Sequence, residues 1–88
     1  MTLTAAELNR ALGLLDQGDW KAAHEIVQTD EESTSACWAH GIVHLIEGDV
    51  PNARYWYREA GRAFPEAASV SEEIKALKSS AGIGRANK

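Results

Sequence analysis

Apolar residues recur at helical spacing in five separate stretches of the chain. Leu8, Ala11, Leu12 and Leu15 form one stripe, since residues three and four apart share a helix face. Trp20, Ala23, His24 and Val27 form a second, and Trp38, Ile42 and Leu45 a third. Ala53, Tyr57 and Ala60 form the fourth, and Val70, Ile74 and Leu77 the fifth. Polar residues punctuate these stripes at the right places. Thr4 with Glu7, and Ser69 with Glu72, have the spacing of capping boxes, in which two backbone donors are satisfied reciprocally. Gly18-Asp19 and Gly48-Asp49 each pair a helix stop with an N-cap for the next helix. Ser33 or Thr34 can cap the third helix, and Pro51 suits the first turn of the fourth. The pattern predicts helices at 4–17, 19–29, 34–47, 50–63 and 70–79 and no strand, hence an all-α fold. A single domain over 1–80 and a flexible tail over 81–88 are expected.

Composition agrees with this reading. The chain has 88 residues, fifteen of them alanine and two proline, which favours helix over sheet. Its longest mostly apolar run, 36–46, holds 11 residues, well short of the ~20 that a membrane-spanning helix needs. The start, MTLTAAELNR, lacks a basic segment followed by an apolar one, so no signal peptide is expected. Cys37 is the sole cysteine and has no internal partner, which makes a reducing cytoplasm the expected location. The net charge of −4 argues against nucleic acid as a partner. The charge is divided unevenly: residues 1–50 carry −7 and residues 51–88 carry +3. In an elongated architecture, opposite ends of two copies would attract.

The turns also repeat. Gly18, Asp19 and Ala23 align with Gly48, Asp49 and Ala53 at an offset of 30, and a period of that size in a helical chain signals stacked helix hairpins. Gly41, Gly48, Ala53, Tyr57, Ala60 and Pro65 stand at the spacings of the tetratricopeptide repeat, and this stretch resembles that family. In the earlier unit Ala11, Gly18 and Ala23 fit the same pattern, while Val27 stands where an aromatic belongs. The offset of 30 is shorter than the family's period of about 34. Cys37, His40 and His44 occupy positions where the family places bulky apolar residues. Residues 47–62 are also similar to a group of short bacterial proteins of unassigned activity, a likeness that supplies no chemistry. The repeat resemblance implies two stacked antiparallel hairpins, a C-terminal capping helix and a role in binding proteins or peptides.

Three features bear on chemistry. Cys37, His40 and His44 share one helix face by spacing, and His24 lies on the inward face of the preceding helix. Imidazoles one turn apart plus a thiolate suit zinc or copper. The plainer alternative makes the histidines hydrogen-bonded core residues and Cys37 a small buried hydrophobe. No HExxH motif or second cysteine pair is present, so no metal or cofactor is the leading expectation. Arg54, Arg58 and Arg62 recur every four residues and interleave with Tyr55, Trp56 and Tyr57, giving a basic stripe suited to an acidic protein partner. The stripes with Leu8, Leu12, Trp38, Ile42 and Leu45 would, by the resemblance, line a concave groove that grips peptides, unless a short stack closes on itself and buries them.

No Ser-His-Asp set, phosphate loop or inward carboxylate pair is visible, and no catalytic residue is expected. The sequence therefore predicts a protein or peptide interaction module, without catalysis, that self-associates as a homodimer. Leu8, Leu12, Trp38, Ile42 and Leu45 would supply the apolar contact, with Arg54, Arg58 and Arg62 beside Asp30, Glu31 and Glu32 of another copy. The alternative is a small metal- or ligand-binding helical protein using His24, His40, His44 and Cys37.

Overall fold

The computed structural model describes residues 2–66 and 69–82. They form five helices: α1 (Ala5–Asp16), α2 (Trp20–Val27), α3 (Thr34–Glu47), α4 (Val50–Glu59) and α5 (Val70–Ser80). No strand occurs among the described residues. Both expected capping boxes are present, at Thr4 and Ser69. Asp19 and Asp49 cap α2 and α4 by accepting from the backbone N–H of Ala22 and Asn52. Ser33 precedes α3 without capping it, because its hydroxyl donates to Asp30 instead.

The fourth helix is shorter than expected. Gly61 adopts a left-handed φ of 71°, a conformation that costs glycine little. The Gly61 amide donates to the Arg58 carbonyl and the Arg62 amide to the Tyr57 carbonyl, which closes the helix before Pro65 can. Of the expected tail at 81–88, Ala81 and Gly82 form the turn that ends α5, and the rest lies outside the described residues.

The third helix is the centre of the fold. It packs against each of the other four, and every residue from 36 to 44 is buried. A helix surrounded on all sides must be apolar around its whole circumference, which accounts for the long apolar run. The remaining contacts pair α1 with α2 and with α5. Small residues bring α3 and α4 together: a Cβ on Gly41 would lie 2.5 Å from Cδ1 of Tyr57 and 3.4 Å from the Ala53 carbonyl oxygen.

Helix α5 packs against α1 and α3 and covers the stripes expected to line a groove, the alternative in which a short stack closes on itself. Leu8, Leu12, Trp38 and Ile42 are buried in one core with Ile74 and Leu77 of α5. Leu45 is half-buried against the same core. The apolar stripes are thus covered by their own chain, which removes them from water. Polar contacts fix α5 in place. Glu73 accepts from Trp38 Nε1 at 3.1 Å and from the Tyr57 hydroxyl at 2.6 Å, and Lys78 pairs with Asp16 at 2.6 Å. The chain measures 38 × 29 × 24 Å.

Candidate metal centre

The local sequence of α2 and α3 brings three imidazoles together. His24 sits in the last turn of α2, and His40 and His44 lie one turn apart on α3. With α2 packed against α3, their rings meet: centroid separations are 4.8 Å for His24–His40, 5.4 Å for His24–His44 and 5.2 Å for His40–His44. His24 Nε2 and His40 Nε2 are 3.1 Å apart. One ring nitrogen from each of the three lies within 4.8 Å of the other two. His40 and His44 are buried, whereas His24 is half-buried.

Neighbouring side chains orient this cluster. The Trp56 ring stacks on His40 with centroids 3.9 Å apart and planes 9° from parallel, forming a wall contributed by α4. Glu47 Oε1 lies 2.7 Å from His44 Nδ1. A carboxylate oxygen accepts, so Nδ1 of His44 donates to it, which leaves Nε2 as the ring atom that could face a metal.

The His24 and His40 imidazoles are held neutral. Burial lowers the pKa of His40 to about 3, helped by the proximity of His24 and His44. Burial, then the neighbouring His44, lowers that of His24, while Glu47 and Glu25 act the other way. Neutral imidazole is the form that binds metal. Between His24 and His40 a single proton serves the close nitrogen pair, and His40 Nδ1 is buried with no hydrogen-bond partner. A buried polar atom left in this way costs about 1–3 kcal/mol.

Cys37 does not belong to the cluster. Its thiol donates to the Glu31 carbonyl at 3.4 Å, facing the α2–α3 connection. Seven residues separate it from His44, about 10 Å along the helix axis at 1.5 Å per residue. Burial raises the thiol pKa, as do the charges of Asp30, Glu59 and Glu31, so the thiolate that metal binding requires is disfavoured. A second group within 4.8 Å, His44, Glu47 and Asp49, is already engaged: Glu47 holds His44, and Asp49 accepts from the Asn52 backbone and side chain.

The basic stripe is not continuous. Arg54 stacks on Phe64 at 4.1 Å and pairs with Glu66. Arg62 lies beyond the end of α4 and stacks on Trp38 at 3.5 Å. Arg58 lies 5.9 Å from the Tyr55 ring. The acidic segment is divided too, because Asp30 is buried and accepts from the backbone of Leu3, Glu32 and Ser33 and from the Ser33 hydroxyl. Glu31 and Glu32 remain exposed.

Two contributors escaped the sequence reading. Glu47 follows His44 by three residues, a spacing that could have revealed it. Trp56 gave no such signal, since its approach to His40 depends on how α4 crosses α3. Comparisons with family models, curated proteins and solved structures find no match for this chain. No helix among the described residues is long and apolar enough to cross a membrane.

Proposed function

We propose that this chain binds one divalent transition-metal ion through His24, His40 and His44, using a two-hairpin scaffold of tetratricopeptide type. The observation that carries the reading is the convergence of three imidazoles from two helices, with His24 Nε2 and His40 Nε2 3.1 Å apart. Two nitrogens each bound at 2.0–2.1 Å to a tetrahedral ion would be about 3.3 Å apart, so this pair needs little movement. His44 needs a further ring adjustment within the 4.8 Å spread. An all-imidazole set suits zinc, copper or nickel rather than magnesium or calcium. The scaffold assignment draws support from the two tight hairpins and from the contact of Gly41 with Tyr57.

The protein-interaction reading is left with a smaller surface. Among the described residues Val50 and Tyr55, both on α4, are the exposed large hydrophobics, at 44% and 43% exposure, and Arg58 is exposed beside them. This face would carry a contact with an acidic protein surface in place of the buried stripe.

Calorimetric titration of the apoprotein with Zn(II), Cu(II) and Ni(II), alongside a His24→Gln variant, tests the metal reading. One ion per chain is expected in the wild type, with a higher melting temperature, and weak or no binding in the variant. At one hundred times Kd the gain in stability should be about 2.7 kcal/mol. Absence of binding for all three ions would overturn the reading.

A further inference from the structure

We propose that the three-histidine centre is an open one, in which the chain supplies three ligands and the fourth position belongs to an exogenous small ligand. Water occupies that position at rest, and a small monodentate anion can displace it. The inference rests on the metal reading above and specifies what the bound ion would do.

The donor inventory carries the argument. The group formed by His24, His40 and His44 has no fourth member among the described residues. Cys37, Asp49 and Glu47 are each committed elsewhere. The Cys37 thiol donates to the Glu31 carbonyl, and the Asp49 carboxylate accepts from Asn52 at the start of α4. Glu47 accepts from Nδ1 of His44, which places it behind that ring when Nε2 is the ligating atom. Tetrahedral sites closed by four protein ligands are structural, whereas three protein ligands leave a position for solvent or substrate.

Access and charge agree with this assignment. Trp56 covers one face of His40, and α3 is buried around the site. His24, on α2, is the half-buried member of the three. Imidazole ligands bring no negative charge, so the charge of a divalent ion is uncompensated within the set. Glu47 and Glu25 offset it in part, from outside. An anionic fourth ligand therefore gains Coulomb energy that a neutral one does not. Glu47 acts as a positioning residue, fixing the tautomer and direction of His44 without touching the ion.

The test uses Co(II) as the metal and sodium azide as the anion, read by visible absorption of the full chain. The wild type should bind one Co(II), and azide should shift the spectrum saturably with one anion per metal. Glu47→Gln should weaken Co(II) binding by about 10–100-fold, as expected for loss of an outer orienting carboxylate, and retain the azide shift. Circular dichroism confirms that each variant is folded. Failure of Co(II) to bind the wild type overturns both this inference and the metal reading. Co(II) binding with a spectrum that azide leaves unchanged overturns the open position alone. An azide shift that appears only in Glu47→Gln identifies Glu47 as a fourth ligand and likewise overturns it.

Discussion

The Tyr57 ring occupies the space in which a side chain at Gly41 would stand, with Cδ1 only 2.5 Å from the position of a Cβ there. Tyr57 cannot easily retreat, because it is 1% exposed and its hydroxyl is bound to Glu73. The missing side chain at Gly41 thus sets the distance between α3 and α4, and α4 in turn brings Trp56 onto His40.

Gly41→Ala weighs two opposed effects. Replacing glycine by alanine inside a helix gains about 1 kcal/mol of helix propensity. Overpacking a tight core contact costs about 1–3 kcal/mol, and the rigid Tyr57 ring places this site at the costly end. A net loss of stability is expected in urea unfolding. A variant as stable as the wild type would show that the helices can separate freely.

Glu73 joins three helices through one oxygen, which accepts from Trp38 and Tyr57. Glu73→Ala would leave a tryptophan N–H and a tyrosine O–H unpaired, at about 1–3 kcal/mol each. Glu73→Gln keeps an acceptor oxygen and should be milder. Denaturant midpoints with unchanged slopes would establish that order. Burial and the Glu73 carboxylate also push the Tyr57 phenol well above its ordinary value of 10.0. Tyr57 should therefore keep its proton in alkali that ionises an ordinary tyrosine, as ultraviolet titration can read.

Asp30 ties the segment before α1 to the α2–α3 connection. Burial alone would raise its pKa, but the bonds from the Ser33 hydroxyl and from the Ser33, Leu3 and Glu32 amides outweigh it and hold the group below its ordinary 3.8. A depressed carboxylate contributes its stability above the unfolded value and loses it as pH falls below 3.8 toward the folded value. The gap in unfolding free energy between wild type and Asp30→Asn should therefore be full at neutral pH and narrow below 3.8. A gap that is the same at both pH values would mean that the charge is not what the site stabilises.

Trp38→Ala should destabilise the chain by about 3–5 kcal/mol, because the ring is buried within its own core. The loss should not depend on protein concentration. Thermal unfolding across a range of concentrations distinguishes this from the dimer contact expected on sequence grounds. A wild-type melting temperature that climbs with concentration, and a Trp38→Ala variant in which it does not, would return Trp38 to an interface between copies.

Helix number, order and most boundaries were legible in the sequence because their causes are local. A capping box needs residues three apart, as at Thr4 and Glu7, and an apolar stripe needs only residues on one turn. Gly61 shows where even local reading slipped, since its left-handed closure acts before the more conspicuous Pro65. What each stripe packs against was not legible. Leu8, Leu12, Trp38 and Ile42 read equally well as a groove or as a core. Helix α5 decides between the two, through contacts such as Glu73 to Trp38 and Lys78 to Asp16, which are 35 and 62 residues apart. The histidines divide in the same way. The sequence placed His40, His44 and Cys37 on one face and His24 on the inward face of the preceding helix, but the meeting of the three rings and the turning of Cys37 toward Glu31 depend on how α2 packs on α3. Periodicity describes a helix about its own axis, whereas the neighbours of a face depend on crossing angles and connections that no single segment encodes.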